Sequence, residues 1–282
     1  MIKAENVSYT YMKGGPFEKK ALEDISFNIN DGEFVGLIGH TGSGKSTLIQ
    51  IISGLLRPTD GRININGEYL YEKSSDMRKL RFETGLVMQY PEYQLFEDTV
   101  YKDIAFGPAN MGLDEKEIKE RTLYAADLVG IDKNLLEKSP FDLSGGQKRR
   151  VAIAGVVAMS PKILILDEPA AGLDPAGKEE ILCKIKDLHR RMNITVILIS
   201  HSMEDIAKLA ERIIVLKSGK IISDGSTAAT FGNKRMLSDA GLSVPQITEI
   251  CDELKKLGVP LPDGIFSVEH ATSELIKVFK TK

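Results

Sequence analysis

The sequence of 282 residues has no tryptophan, only two cysteines and four histidines. Cys183 and Cys251 lie far apart and neither belongs to a C-x-x-C pair, so a disulfide framework or thiolate metal centre is not expected. Both read as buried or idle thiols. His40, His189, His201 and His270 lack metal-ligand spacing. An excess of one charge is missing too: the net charge is −3, with no basic pull toward nucleic acid. No apolar run approaches the roughly 20 residues that a membrane span needs. Val151–Met159 and Ile194–Ile199 are far too short. The start, Met1 to Glu5, lacks the charged-then-apolar layout of a signal peptide. Repeats and low-complexity tracts are absent. A cytoplasmic, soluble chain is therefore expected, with room for a peripheral place on a membrane complex.

Glycine, by contrast, is concentrated where it matters. Gly39, His40, Thr41, Gly42, Ser43, Gly44, Lys45, Ser46 and Thr47 fit the spacing G-x-x-x-x-G-K-[ST]. Before this stretch, residues 33–38 form an apolar run of the length of a buried parallel strand. After it, Leu48, Ile49, Ile51, Ile52, Leu55 and Leu56 trace one helical face ending near Pro58. Strand, glycine-rich loop and helix are the setting in which backbone N–H groups turn toward a phosphate and the helix dipole adds attraction. Lys45 would reach the β- and γ-phosphates and Ser46 would ligate Mg²⁺. The stretch reads as a nucleoside triphosphate site.

The remaining chain supplies the architecture. Ile2–Tyr11 and Ala21–Asn30 alternate like strands, with a turn around Gly14–Pro16 between them and an Asp31-Gly32 turn after them. Gly61–Asn66 and Gly67–Leu70 read as a hairpin, and Thr84–Met88 as a short strand. Residues from about 91 to 160 change character: Asp114–Val129 and Ser144–Met159 carry helical periodicity, so a helical insertion is expected there. Strand Ile163–Leu166, helix Pro175–Arg191, strand Ile194–Ile199, helix Met203–Ala210 and a hairpin over Arg212–Ser223 follow. That alternation predicts an α/β fold with a mostly parallel sheet covered by helices on both faces. Beyond Asp224 the pattern loosens into a small helical appendage, with one helix over Pro245–Leu257 and a second over Ser273–Phe279.

Two further stretches carry chemistry. Ile163–Glu168 is an apolar strand ending in paired carboxylates, where Asp167 can hold Mg²⁺. Glu168 can orient and deprotonate the attacking water, worth about 10²–10⁴ in rate. Leu143 to Gln147 opens a helix with Ser144 as N-cap, followed by Gly145 and Gly146, which makes a second anion-binding helix start.

With these motifs in hand, the chain resembles an ABC-type ATPase over residues 1–225. That resemblance implies a P-loop NTPase (RecA-like) core, an antiparallel β subdomain, a helical signature subdomain at about 91–160 and a C-terminal helical dimerisation appendage at 226–282. It places Tyr11 as the adenine-stacking aromatic, with Tyr9 more readily a strand residue, and Gln89 as the Q-loop glutamine that meets metal and attacking water. Ser144, Gly145, Gly146 and Gln147 match the signature motif, Asp167 and Glu168 the Walker B pair, Asp174 the D-loop aspartate, and His201 the switch histidine that meets the γ-phosphate. Ala170 departs from the family's usual threonine, and no role rests on it. The resemblance implies ATP and Mg²⁺ as ligands, and head-to-tail pairing with a second ABC ATPase whose signature motif completes this chain's site.

Gly39 to Ser43, Gln89 to Phe96, Phe106 to Pro108 and Phe141 to Ser144 are similar to the paired ATPases of energy-coupling factor (ECF) transporters. The lead-in at 14–19 and the short tail resemble the second ATPase of that pair. This implies an importer of a vitamin or transition-metal ion, a sibling ATPase as favoured partner with a homodimer possible, and a place on the cytoplasmic face of the membrane. A transmembrane coupling subunit and a substrate-binding membrane subunit are the further partners implied, and no nucleic acid. Glu92 falls where the family meets arginines of the membrane subunit, with Glu97 and Asp98 as lesser candidates. The run Lys148-Arg149-Arg150 reads as a solvated helix face whose cations bind nearby acids. Alternatives are another ABC transporter class, or an ABC ATPase of DNA repair or ribosome function. The long heptad insertion of repair types is absent from 48–142, and 282 residues hold one cassette rather than two. A scaffold that binds nucleotide without hydrolysis is opposed by Glu168 and His201.

Overall fold

The computed structural model describes residues 1–72 and 75–280. Strands β1 (Ile2–Tyr11) and β2 (Lys19–Ile29) pair antiparallel, with Ile2 opposite Ile29. Ile2, Ala4, Val7, Leu22, Ile25, Phe27 and Ile29 bury one face of this pair, with the two-residue alternation interrupted by bulges on either side of Val7. Strand β3 (Phe34–Ile38) is buried at every position, the run expected of a strand covered on both faces. It leads into α1 (Lys45–Ile52). Strands β4 (Asp60–Ile65) and β5 (Glu68–Tyr69) turn through Asn66 and Gly67, both at positive φ, the conformation of a tight two-residue hairpin. These strands complete an antiparallel sheet of order β2-β1-β4-β5.

The second sheet is built later in the chain. Helix α2 (Met77–Glu83) and strand β6 (Thr84–Val87) precede a helical insertion of α3 (Val100–Met111), α4 (Glu115–Leu128) and α5 (Gly145–Val157). Strand β7 (Ile163–Asp167), α6 (Pro175–Met192), β8 (Thr195–Ile199), α7 (Met203–Leu209), β9 (Arg212–Lys217) and β10 (Lys220–Ser226) then alternate. The order is β10-β9-β3-β8-β7-β6, parallel except for β10. One core of Val35, Leu37, Ile165, Ile197 and α1 lies between the two sheets. Another, with Leu164, Leu166, Val196 and Leu198, joins the opposite face to α5, α6 and α7.

Helices α2 and α3 were not expected. The Gly107-Pro108 pair inside α3 reads as a break in the sequence, but both residues serve packing. Pro108 is buried, and a Cβ on Gly107 would lie 2.7 Å from Met159 Cγ, so the bare backbone lets α3 approach the end of α5. The appendage is likewise richer than its periodicity suggests: α8 (Thr227–Gly232), α9 (Lys234–Asp239), α10 (Gln246–Lys256) and α11 (Val268–Lys280). Cys251, Leu261, Ile265 and Ala271 form its own small core, while Phe231 and Leu237 join the main one.

Candidate active site

In an open parallel sheet, ligands bind beyond the C-terminal ends of the strands. The neighbouring strands β3, β8, β7 and β6 release four chemistry-bearing segments at that edge. They are the 39–47 loop, Ser200-His201, Asp167-Glu168 and Gln89. Leu37 pairs with Ile199 and Ile199 with Asp167, which brings segments remote in sequence to one rim.

The loop is tightly held from behind. A Cβ on Gly39 would lie 2.4 Å from Leu216 O, and one on Gly44 would lie 2.7 Å from Ala21 O. Gly44 also has φ of 107°, so glycine is required there on both counts. Gly219 N donates to Ser43 O (2.9 Å), fixing the β9–β10 hairpin tip beneath the loop. Thr41, Gly42 and Ser46 face solvent at the helix start. Lys45 is 7% exposed; its Nζ donates to Gly39 O (2.6 Å) and His40 O (3.1 Å), while His40 Nδ1 lies 2.7 Å from Thr41 O. Burial lowers the Lys45 pKa, opposed by the charges of Glu168 and Asp167.

Tyr11 stands at the end of β1 with its hydroxyl 3.1 Å from Thr47 Oγ1 and its ring edge-on to Tyr9 at 4.8 Å. It is 38% exposed, beside the start of α1. Tyr11→Ala is expected to weaken ATP binding by about 1–3 kcal/mol, roughly 5- to 150-fold in Kd, with kcat nearly unchanged. A fluorescent-nucleotide titration checks this, and an unaltered Kd would remove the stacking role.

The acidic pair sits at the end of β7. Burial raises the Asp167 carboxyl above its usual range, against Lys45 and His201. Glu168 is pushed up to about 7, first by burial and then by the Asp167 charge. Its backbone φ is 52°, a strained value for a non-glycine residue, and its buried Oε1 has no hydrogen-bond partner. His201 Nε2 is 3.7 Å from that oxygen. Burial and the Lys45 charge lower the His201 pKa, favouring neutral imidazole. A free carboxylate oxygen on a group titrating near neutral pH is matched to general-base work.

The raised Glu168 pKa fixes a stability trend. The folded protein retains a proton that the unfolded chain loses near the ordinary glutamate value, so stability falls as pH rises from about 4.5 to 7. Glu168→Gln carries no such penalty. In EDTA without nucleotide, its stability advantage over the parent is expected to grow across that window by on the order of 3 kcal/mol. Thermal melts at pH 5 and pH 8 test this, and a gap that does not vary with pH would contradict it.

The signature stretch lies on the helical insertion. Ser144 caps α5 with a reciprocal capping box: Gln147 N donates to Ser144 Oγ (3.3 Å) and Ser144 N to Gln147 Oε1 (3.0 Å). Ser144 and Gly145 are exposed and Gly146 half-buried. Asp174 caps α6 by accepting from Gly177 N (2.7 Å). Gln89 is exposed between β6 and a 3-10 turn over Pro91–Gln94.

Two charged side chains are engaged inside the chain. Glu92, expected to meet arginines of a membrane partner, is bound bidentately by Arg149 of its own chain (2.8 and 3.2 Å). Arg149 is correspondingly 2% exposed, so the Lys148-Arg149-Arg150 run is not wholly a solvated face; Arg150, half-buried, pairs with Glu180 as expected. The other acids differ: Asp98 is outward and pairs with Lys102 (3.0 Å), and Glu97 is half-buried. Sequence reasoning also missed Asp205, buried on α7 and joined to Lys178 (2.8 Å) and Ser200 Oγ (3.4 Å), next to His201. Nothing in its local sequence marks it.

The fold and rim define an ATPase of the ABC transporter class, and residues 22–171 match that family's description, "ABC transporter". The chain belongs to this family. It is 56% identical over 279 residues to the energy-coupling factor transporter ATP-binding protein EcfA2 of Caldanaerobacter subterraneus subsp. tengcongensis, covering 99% of this chain and 98% of that one. With the EcfA2 protein of Clostridium tetani it shares 55% over 282 residues, covering 100% and 98%. Among solved structures, CbiO1 of Clostridium perfringens, part of the ABC transporter complex CbiONQ, aligns with TM-score 0.76 and 38% identity, covering 89% of this chain and 98% of that one. The dimeric MJ0796 cassette bound to ADP and Pi aligns with TM-score 0.71 and 31% identity, covering 80% and 99%.

Proposed function

We infer that this chain is the ATP-hydrolysing subunit of an ECF-type importer, taking up a vitamin or transition-metal ion by ATP-driven closure against a second ABC ATPase. One observation carries the reading. A hydrolytic rim of Lys45, Glu168 and His201 coexists with a capped, exposed helix start at Ser144–Gly146 on a separate helical insertion. Such a helix start suits the γ-phosphate held by another subunit, and the rim suits the partner's reciprocal motif. The EcfA2 relatives favour a sibling as that partner, and the dimeric MJ0796 cassette supports pairing.

Within the site, the 39–47 loop binds and orients the phosphates, and Tyr11 stacks on the base. Glu168 takes the proton of the attacking water on its free Oε1, while His201 and Gln89 orient the γ-phosphate and that water. Ser46, Asp167 and Gln89 supply hard oxygen donors that fit Mg²⁺. No group of three or more His, Cys, Asp or Glu among the described residues could hold a metal by itself, so phosphate oxygens would complete the coordination. The ion, when bound, would neutralise charge on the β- and γ-phosphates.

No helix among the described residues is long and apolar enough to cross a membrane. A peripheral place on the cytoplasmic face, against membrane subunits, suits the relatives' transport role. Tyr93, Phe96 and Asp98 beside the 3-10 turn are exposed and form the face offered to a coupling subunit. The appendage from 226 onward serves pairing. Affinity purification of the tagged chain from its native membrane tests the reading. A second ABC ATPase and multi-span membrane proteins are expected to come along; recovery with soluble partners alone would refute it.

A further inference from the structure

Arg149 occupies a position that the catalytic description leaves unused. It lies on α5, just beyond the Ser144–Gln147 cap, and its guanidinium joins three segments. Nε and Nη2 hold the Glu92 carboxylate, at 3.2 Å to Oε2 from Nε and at 2.8 and 3.1 Å to Oε1 and Oε2 from Nη2. Nη1 donates to Pro169 O (3.2 Å) and Ala171 O (2.5 Å). Those carbonyls belong to the turn that follows Glu168, closed by Ala171 N donating to Glu168 O (3.1 Å).

Each segment gripped by Arg149 adjoins a strained residue of the rim. Glu168 has φ of 52°, and Tyr90, directly after Gln89, has φ of 57°. Such conformations persist only where the surroundings over-determine them. A Cβ on Gly172 would lie 3.9 Å from Tyr90 Cε1, so the two strained turns stand side by side with Arg149 beneath them. A planar fork of donors suits this junction: one edge takes a carboxylate bidentately and the remaining nitrogen takes main-chain carbonyls. A lysine ammonium reproduces the charge but lacks the span.

We propose that Arg149 is a positioning residue for ATP hydrolysis. By pinning Glu92 on one side and the Pro169 and Ala171 carbonyls on the other, it holds the Gln89 turn and the Glu168 turn in register with the signature helix. The Gln89 and Glu168 turns, which face this chain's ATP, then move as one body with the signature helix, which faces the partner's, so displacement of the helical insertion is felt at the base. This rests on the proposed ATPase function and adds the device that links its two halves.

The test uses the assembled transporter purified with this chain, and Mg·ATP as probe. Arg149→Lys is expected to lower kcat by about 10- to 100-fold, the scale of a misplaced reactive group, with KM and nucleotide Kd within about twofold. Glu92→Gln keeps one acceptor and removes the charge; a smaller loss of about three- to tenfold is expected, again in kcat alone. Melting temperature is read alongside. A lower melting point with unchanged kcat per folded complex for Arg149→Lys would show a merely structural tie and overturn the proposal. If Arg149→Lys does not fold, Glu92→Gln decides alone, and an unaltered kcat overturns it. Glu168→Gln separates the two levels. If it abolishes hydrolysis while Arg149→Lys leaves kcat unchanged, the ATPase reading stands and the positioning role falls. Absence of hydrolysis in the unaltered complex overturns both.

Discussion

Glu168→Gln is expected to reduce ATP hydrolysis by at least about 10²-fold, the lower bound for a positioned general base, while ATP still binds. The substitution keeps the volume and removes the proton acceptor at Oε1, a buried carboxylate oxygen with no hydrogen-bond partner. Lys45, the loop glycines and Tyr11 are untouched, so the nucleotide Kd should hold. The closed state formed on ATP binding then has no route to products, and the paired form should accumulate. Phosphate release measured with nucleotide occupancy reads both consequences. Steady turnover by the variant would move the base elsewhere, with Asp167 the nearest carboxylate.

Glu92→Arg is expected to destabilise the folded chain by about 3–5 kcal/mol, the cost of leaving a buried ion without its partner. Arg149 is 2% exposed and meets no other carboxylate among the described residues, so the new cation both removes its counter-charge and repels it. At about 2–4 °C per kcal/mol, the melting temperature should fall by roughly 10 °C. The same substitution at an outward docking acid would leave the melt unchanged and harm only assembly. Thermal unfolding therefore tells an internal brace from a surface contact.

These predictions mark what could be read from sequence. The 39–47 loop, Asp167-Glu168 and the Ser144 cap are contiguous motifs, each carrying its function in neighbouring backbone, so spacing alone exposes them. Buried strands β3, β7 and β8 were equally legible as unbroken apolar runs. Helix α3 was not, because Gly107-Pro108 looks like a break until the close approach of Met159 shows why small, rigid residues sit there. Short α2, α8 and α9 carry too few turns to show a period. Arg149 and Glu92 are 57 residues apart, and no local pattern announces that one charge of a basic run turns inward to meet an acid beyond a strand. Asp205 was hidden for the same reason: its partners Lys178 and Ser200 come from different elements.

The central claim is that the nucleotide site is composite, completed by a helix start on another subunit. Analytical ultracentrifugation of the Glu168→Gln chain with its co-purifying ATPase tests it directly, with and without Mg·ATP. ATP should drive pairing, and Ser144→Arg, which blocks the exposed N-terminus of α5, should weaken that pairing without lowering this chain's own affinity for ATP. Pairing that ignores both ATP and Ser144→Arg would contradict the account.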